Sequence, residues 1–460
     1  MVGRIIATST LCFFLLPVGF ATSQENWPQW RGPDQNGVSL SVDLPVSWSL
    51  EENIVWKTPL PSWSGGTPVI WGDRIFVTSP STSDPEELKK LEEQKQQPRR
   101  GRGRGRGMRQ GRHPGGQDLL LFCISKKNGE VLWLHKLDEG NQLHLKGNNT
   151  SPSPVTDGEH VWVVTGTGVV TALDMDGNQI WQQNLQEKYG TFGLNWGYAS
   201  SPLLLDNRII IEVLHGMRTD DPSYIVAFDA QSGSVLWRQE RPTDAPREAP
   251  DAYTTPIAYE QNGVTQIIIS GADYVTGHDP DTGREIWRAG GLNPRKAANY
   301  RIVASPLAVD GMIYAPTRNR PLLAFRTGGE GDITESNLVW KWDAPGGPDV
   351  PTPVCDGNRF FMVDDKGMIT SLDAKTGEVI WGPERTIRGT ISSSPILADG
   401  KIYFINEEAV TIVVSAGPEF EIISTNELDG TYTLSSPVPS GNQLFIRTST
   451  HLYCIGDTTE

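Results

Sequence analysis

Residues 224–237 read Tyr-Ile-Val-Ala-Phe-Asp-Ala-Gln-Ser-Gly-Ser-Val-Leu-Trp. The first part has the apolar, β-branched composition of a strand, and the last part is a second short strand that carries a tryptophan. The Asp-x-x-x-Gly segment between them predicts a hairpin turn, because the Asp229 carboxylate can accept backbone N–H groups and Gly233 can adopt a positive φ. The turn recurs at 279–283 and 373–377. We interpret these acids as turn caps and not as catalytic groups.

The second recurring feature is the tryptophan of the last strand. It occupies the equivalent position in most copies of the pattern: Trp133, Trp181, Trp237, Trp287, Trp340 and Trp381. A large ring at the wide outer end of a repeat fills the gap to the next repeat. We therefore expect these side chains to pack between neighbouring units.

Each repeating unit begins with a Ser/Thr-Pro pair that is followed by an apolar run. The eight pairs begin at Thr67, Ser153, Ser201, Thr255, Ser305, Thr352, Ser394 and Ser436, and after the first interval their spacing is 42 to 54 residues. Four short strands separated by Gly or Asn turns fit within each unit. This period predicts an all-β, eight-bladed β-propeller of four-stranded antiparallel blades, with seven blades as the nearest alternative.

The last unit is incomplete at the C-terminus. Residues 436–455 supply three strands, and the missing tryptophan-bearing strand is matched by residues 53–57, which contain Val55 and Trp56. Joining the two termini in one blade hides both open sheet edges. We therefore predict a ring closed by the N-terminal strand.

The repeat of residues 224–237 resembles the pyrroloquinoline-quinone (PQQ)-type propeller repeat. That family includes quinoprotein alcohol dehydrogenases and the non-enzymatic outer-membrane assembly factor BamB, and the resemblance extends over residues 53–456. It is specific for the fold and weak for the chemistry. The opening 27–34 (Trp-Pro-Gln-Trp-Arg-Gly-Pro-Asp) is similar to a lead-in found before secreted bacterial propellers of this type, with no function implied.

The domain plan has three parts. Residues 1–23 have the short basic region, apolar core and small residues of a signal peptide, with cleavage near residues 21–23, so a secreted or periplasmic protein is expected. Residues 24–52 form the lead-in, and residues 53–460 form the propeller. Cys12 lacks a lipobox context, so we expect no lipid anchor. No later segment is long enough to span a membrane.

An insertion at about 80–117 interrupts the first blade. From residue 84 to residue 113 it contains ten Lys/Arg against five Asp/Glu, although the whole chain has a formal charge of −15. Its Arg-Gly part predicts disorder. Such runs can bind polyanions, but export argues against nucleic acid, which leaves a solvated insertion or a ligand such as an anionic polysaccharide.

Loops at one end of a propeller converge on its central channel, and we take the candidate binding residues from there. They are Asn148, Asn149, Asn195, Trp196, Tyr198, Tyr253, Asp273, Tyr300, Arg301, Arg318, Arg320 and Lys366. Aromatic faces beside amide and guanidinium donors suit a sugar, a peptide or an aromatic cofactor, whereas ordinary channel-mouth residues are the alternative.

Signals for catalysis are weak. The sequence contains no Gly-x-Ser-x-Gly, His-Glu-x-x-His or Walker pattern, its seven histidines have no metal-ligand spacing, and Cys123, Cys355 and Cys454 read as buried thiols. A PQQ-dependent dehydrogenase would, by resemblance, need a vicinal disulfide, a stacking Trp and a calcium set. Trp196 and Asp273 are the partial matches.

The expected function is therefore a non-enzymatic, monomeric, protein-binding or scaffolding module without a cofactor or catalytic residues, in cell-envelope assembly or extracellular recognition. Two alternatives stay open. One is a dehydrogenase that uses PQQ with calcium, and the other is a propeller that binds an extracellular polysaccharide.

Overall fold

The computed structural model describes residues 26–84, 113–318 and 321–457. The predicted signal peptide, the Arg-Gly run of the insertion and Arg320 lie outside the described residues. The described residues form eight radial β-sheets, which we call blades 1 to 8 in chain order of their innermost strands. The eight-bladed fold predicted from the repeat is confirmed.

Each blade has four antiparallel strands, which run in order from the innermost to the outermost. Blade 1 contains Val69–Trp71, Arg74–Pro80, Asp118–Ser125 and Val131–Glu139; blade 2 contains Val155–Thr156, His160–Val164, Val169–Asp174 and Gln179–Asn184. Blade 3 contains Leu203–Leu205, Arg208–Val213, Tyr224–Asp229 and Val235–Glu240; blade 4 contains Ile257–Gln261, Val264–Gly271, Tyr274–His278 and Glu285–Ala289.

The second half of the ring repeats this order. Blade 5 contains Leu307–Val309, Met312–Ala315, Leu322–Arg326 and Leu338–Trp342; blade 6 contains Val354–Cys355, Arg359–Val363, Met368–Asp373 and Val379–Arg385. Blade 7 contains Ile396–Ala398, Lys401–Ile405, Val410–Ser415 and Ile422–Glu427; blade 8 contains Val438–Ser440, Gln443–Arg447, His451–Ile455 and, from the N-terminal side, Ile54–Pro59. The predicted closure by the N-terminal strand is confirmed.

Five further elements lie outside the four-stranded pattern of the blades. Val38–Ser39 pairs in parallel with the innermost strand of blade 7, and Gly331–Asp332 pairs in parallel with the outermost strand of blade 4. The strands Leu143–His144 and Gly147–Asn148 form a small hairpin. The helix Leu185–Tyr189 is capped by the Asn184 side chain.

Each predicted Asp turn has the predicted geometry. Asp229 Oδ1 accepts the Ser232 N–H at 2.8 Å, and Gly233 has φ +69°. The same caps form at Asp279 and Asp373. Between Ala227 and Phe228 the pairing of the third and fourth strands shifts register. This irregularity precedes the tryptophan strand and turns its ring toward the next blade.

The tryptophan of one blade docks on the Asp turn of the following blade. Trp181 Nε1 donates to the Ala230 carbonyl at 2.8 Å, and its ring lies against Gly233, where no Cβ intervenes. Equivalent bonds run from Trp56 to Lys126, Trp133 to Met175, Trp237 to Pro280, Trp340 to Ala374 and Trp381 to Gly417. The predicted packing between blades is confirmed for these rings.

Trp287 departs from the pattern. Its Nε1 donates to Gln266 Oε1 within its own blade, and its ring covers Gly277. In the next blade the corresponding turn reads Arg-Thr-Gly-Gly at residues 326–329 instead of Asp-x-x-x-Gly, and both glycines have a positive φ. The Trp287 ring still belongs to the apolar cluster that joins blades 4 and 5.

The Ser/Thr of each Ser/Thr-Pro pair links neighbouring blades around the channel. The Thr67 N–H donates to Ser153 Oγ at 3.0 Å, and the pattern repeats from every blade to the next. It ends with Ser436 N–H donating to Thr67 Oγ1 at 3.2 Å. We call this closed set of eight hydrogen bonds the hydroxyl ring.

The lead-in packs against the inner strands beyond the hydroxyl ring. Trp27 is buried and exchanges two backbone hydrogen bonds with Ile70 of blade 1. Arg31 is also buried, and its guanidinium donates to the carbonyls of Pro353 and Pro395 in blades 6 and 7. These contacts lie past the Ser/Thr positions, so the lead-in crosses the end of the channel opposite the loops that enter the innermost strands. We call the loop-bearing end the upper face and the other end the lower face.

Substitution of the turn glycines tests the tryptophan docking. Gly233→Ala places a Cβ against the Trp181 ring, whereas Gly263→Ala, at φ +76°, meets nothing within 4 Å. Both variants carry the backbone cost of a left-handed residue, about 1–2 kcal/mol. Only Gly233→Ala adds overpacking, about 1–3 kcal/mol more. We expect a clearly larger fall of the thermal unfolding midpoint for Gly233→Ala, and equal falls would contradict the docking.

Candidate functional site

The upper part of the channel is a cavity of about 250 Å³. Trp30 of the lead-in lines it from below, and seven of the eight residues of the hydroxyl ring lie on its wall. Above the ring, its lining includes His144, Lys146, Trp196, Tyr253 and Arg301. Aromatic, cationic and hydroxyl groups therefore converge on one cavity that is open to solvent.

Trp196 and Tyr253 form the aromatic side of this cavity. The Tyr253 hydroxyl accepts the Trp196 backbone N–H at 3.0 Å, and Trp196 Nε1 donates to Glu248 Oε1 at 2.8 Å. Gly197 follows with φ +76°, and a Cβ there would clash with the His144 ring. Two loops thus fix both rings, and both predicted aromatic residues lie at the cavity.

Arg301, the third predicted residue at the cavity, is paired with an acid. Its guanidinium lies 3.3 Å from Asp349 Oδ2, and the Arg318 guanidinium also lies 3.3 Å from this oxygen. Asp365 Oδ1 accepts the N–H groups of Asp349 and Val350, each at 3.1 Å. Burial, helped by the nearby Asp349 charge, raises the pKa of Asp365 to about 6. The guanidinium is therefore held in a fixed position at the cavity wall.

The hairpin Leu143–Asn148 reaches across the channel mouth. Lys146 Nζ lies 2.9 Å from Glu407 Oε1 and donates to Ser392 Oγ at 3.0 Å, both in blade 7. The Lys146 carbonyl accepts the Tyr432 hydroxyl of the blade 8 loop at 3.3 Å. A loop that enters blade 2 is thereby tied to blades 7 and 8, and we call this contact the Lys146 bridge.

Two predicted asparagines organise the loops and do not face the cavity. Asn148 is buried, and its Nδ2 donates to the carbonyls of Trp63 and Pro114. Asn149 is buried too; its Nδ2 donates to the Gly140 carbonyl, and its Oδ1 lies 2.8 Å from His144 Nε2. They hold the loop from which His144 and Lys146 project.

The remaining predicted residues are spread over several environments. Tyr198 and Tyr300 lie in apolar clusters between blades, because their rings turn inward from the loops. Asn195 donates to Glu248 and accepts from Arg218 on the upper face. The structure thus places the two tyrosines in the core, outside the cavity.

Asp273, Arg318 and Lys366 also lie away from the cavity. Burial raises the pKa of Asp273 to about 6, and its Oδ2 accepts Asn293 Nδ2 at 3.1 Å. Arg318 borders a separate upper-face cleft, and Lys366 is exposed on its turn. Of the predicted set within the described residues, only Trp196, Tyr253 and Arg301 line the cavity.

Sequence reasoning did not single out Trp30, His144, Lys146 or Glu407. Trp30 stands in the lead-in, whose position depends on contacts with residues hundreds of positions away. The useful signal for Lys146 was its place in a loop entering an innermost strand. The Ser/Thr of the repeat was used only as a marker of period, although those hydroxyls form much of the wall.

A buried carboxyl lies beneath the upper face, between blades 3 and 4. Glu212 Oε1 accepts the Thr254 hydroxyl at 2.8 Å, whereas Oε2 has no hydrogen-bond partner in the described part of the chain. Burial raises the pKa of Glu212 to about 8, although Thr254 and the Arg241 charge oppose the shift. The folded protein therefore holds this group protonated at neutral pH.

Most of the ring matches a known protein family. The family described as outer membrane protein assembly factor BamB matches residues 118–383 and 332–432. The chain belongs to this family. Outer membrane protein assembly factor BamB of Yersinia pestis is 22% identical over 341 residues, which cover 71% of this chain and 77% of the relative.

Two solved structures show the same fold at low identity. BamB from Moraxella catarrhalis has a TM-score of 0.58 at 15% identity, covering 88% of this chain and 98% of that chain. Quinohemoprotein alcohol dehydrogenase from Comamonas testosteroni has a TM-score of 0.64 at 11% identity, covering 96% and 82%. The fold is therefore shared by an assembly factor and an oxidoreductase. Because the fold does not distinguish these functions, the function has to be inferred from the residues of the site.

Three further observations concern membranes, metals and thiols. None of the helical segments in the described residues has the length and hydropathy of a membrane-spanning helix. Within residues 26–84, 113–318 and 321–457, no three His, Cys, Asp or Glu side chains are grouped to hold a metal ion. Cys123, Cys355 and Cys454 are free and buried as predicted, and burial raises the pKa of each thiol to about 12.

Removal of the lysine charge tests the Lys146 bridge. Lys146→Met breaks the contacts with Glu407 and Ser392, so we expect faster amide hydrogen exchange in residues 143–148. The factor should be about fivefold, which corresponds to the roughly 1 kcal/mol of a partly exposed ion pair. Lys136→Met, which removes an exposed ion pair from blade 1, is the matched control. Unchanged exchange in Lys146→Met would show that the hairpin is held by other contacts.

The buried carboxyl predicts a pH dependence of stability. Glu212 in the unfolded chain titrates near 4.5 and in the folded chain near 8, so between these values only the folded protein binds the proton. The contribution of Glu212 to the free energy of unfolding is fully present below pH 4.5, and it decreases as the pH rises toward 8. Glu212→Gln should therefore flatten the fall of the unfolding midpoint between pH 5 and pH 8. Glu260→Gln, at an exposed carboxyl, should leave the wild-type slope, and a wild-type slope in both variants would refute the assignment.

Proposed function

We propose that this protein is a non-enzymatic scaffold of the bacterial cell envelope that binds a protein component of outer-membrane protein assembly. The family described as BamB and its relative of that name support the class of function. A rigid ring of blades also suits this role, because it presents loops from several blades on one surface. The expected secreted or periplasmic location, taken from the N-terminal residues, agrees with this proposal.

The observation that best supports the proposal is a cleft on the upper face of blades 3 to 5, which we take as the protein-binding surface. Its lining is Met217, Arg247, Glu248, Ala298 and Asn299, around about 330 Å³. Met217 is 39% exposed, so part of this apolar side chain is accessible to a partner at the cleft. Methionine and arginine are enriched at protein interfaces, where charged groups surround apolar anchors. We call this surface the Met217 cleft.

The Met217 cleft is held in shape before any partner binds. Asp251 is fully buried beneath it; its Oδ1 accepts the Met217 N–H at 3.0 Å, and its Oδ2 accepts the Asn195 N–H at 2.7 Å. One carboxylate thus joins loops of two blades. A preorganised surface loses little conformational entropy on binding, which favours a protein-binding role.

The residues of the cavity do not fit the quinone alternative. A quinone with calcium needs acidic ligands for the ion and free cations for the anionic cofactor. In this cavity Lys146 and Arg301 are already paired with Glu407 and Asp349, and the described residues contain no group of three His, Cys, Asp or Glu side chains placed to hold a metal ion. The cavity donors therefore support the proposal of a protein without a quinone cofactor.

Co-purification tests the proposed function. A tagged chain is isolated with its partners from the envelope fraction of the native organism, and these are identified by mass spectrometry. We expect components of outer-membrane protein assembly with the wild type. Met217→Asp should lower their recovery by about tenfold, because an unpaired charge replaces a central apolar anchor.

The control for Met217→Asp carries the same charge on the opposite face. Val264 is 58% exposed in the hairpin between the two inner strands of blade 4. Val264→Asp should retain wild-type recovery, and circular dichroism should show both variants folded. Equal recovery in both variants, or a wild type that captures no assembly component, would overturn the proposal.

A further inference from the structure

The hydroxyl ring places seven of its eight residues on the wall of the cavity. Each of its eight oxygens accepts a backbone N–H from a neighbouring blade, so the oxygen is already used as an acceptor. The described residues provide no acceptor for any of the eight hydroxyl protons. A hydroxyl retains one donor in this situation. The wall therefore favours a guest with several acceptor oxygens.

The ends of the cavity add flat aromatic surfaces. Trp30 lies at the lower end, and Trp196 and Tyr253 lie at the upper end. Trp196 is oriented by its Nε1 bond to Glu248, and Tyr253 is oriented by its bond from the Trp196 N–H. Fixed aromatic rings of this kind bind the C–H faces of a ring-shaped guest without losing rotamer freedom.

The charges at the mouth are paired. Lys146 lies 2.9 Å from Glu407, and Arg301 lies 3.3 Å from Asp349. Each pair offers a donor and an acceptor side by side, with little net charge to attract an anion. A neutral guest that has both hydroxyl donors and hydroxyl acceptors matches these pairs best.

The size of the cavity limits the guest. Its volume of about 250 Å³ is below the roughly 300–1,000 Å³ of pockets that hold drug-sized ligands. Hydroxyl donors around the wall, aromatic rings at both ends and neutral charge pairs at the mouth describe one chemical class. We propose that the upper channel is a binding site for a neutral sugar unit of one or two rings, either free or at the end of a glycan.

This site is separate from the Met217 cleft, so the inference goes beyond the proposed scaffold function. Titration calorimetry and tryptophan fluorescence with N-acetylglucosamine, glucose and cellobiose test it directly. We expect saturable binding on the order of millimolar for a ligand with few non-hydrogen atoms. Glucuronate, which carries a charge, should bind more weakly than glucose.

Variants locate the binding. Trp196→Ala should weaken binding of the best sugar by about tenfold or more, because it removes an aromatic anchor, and Trp196→Phe should restore most of it. Tyr274→Ala changes an aromatic side chain of the upper face that does not line the cavity, and it should bind as the wild type does. Circular dichroism confirms that each variant is folded.

A soluble oligosaccharide distinguishes the source of the sugar. If the oligosaccharide competes with the monosaccharide for binding, the site recognises the end of a glycan. If it does not compete, the site binds a free sugar. Absence of binding by all neutral sugars at high millimolar concentration would overturn the proposal, as would binding that Trp196→Ala leaves unchanged. Met217→Asp should not alter these titrations. A failure of the proposed protein binding can therefore be distinguished from a failure of the proposed sugar binding.

Discussion

The docking of a tryptophan on the turn of the next blade, which joins six of the eight pairs of neighbouring blades, is the contact on which the ring depends. The indole N–H reaches a backbone carbonyl of the neighbouring turn, and the glycine of that turn leaves room for the ring. The contact uses a large ring, a bulge that turns it outward and, at every docked tryptophan except Trp381, a turn glycine with positive φ. None of these is useful within a single blade, so each blade is completed only by its neighbours.

The hydroxyl ring is the inner counterpart of this contact. At the rim, a tryptophan fills the widening gap between most neighbouring blades, whereas near the axis serine and threonine hydroxyls join them. The chain of eight hydrogen bonds ends where it begins, at Thr67. Seven of the eight residues that hold the inner edge together also line the cavity, so structure and binding chemistry share the same side chains.

Much of the fold could be predicted from local sequence, and much of the site could not. The turn at Asp229, the tryptophan strand and the Ser/Thr-Pro repeat act within one unit, so their pattern is visible in sequence. Arg31 contacts Pro353, 322 residues away, and no local pattern reports such a contact. The same limit applies to Tyr198 and Tyr300. A loop aromatic can face either the channel or the core, and only packing against other blades decides which.

Closure of the ring is the most direct test of this account. A chain that begins at residue 61 lacks the outermost strand of blade 8 and the Trp56 ring that docks on blade 1. Thermal unfolding of this chain should be measured alone, with a peptide of residues 53–60, and with the same peptide carrying Trp56→Ala. We predict a lowered midpoint for the truncated chain, recovery with the natural peptide, and little recovery with the variant peptide. A truncated chain as stable as the full protein, or equal rescue by both peptides, would contradict the claim that tryptophan docking closes the ring.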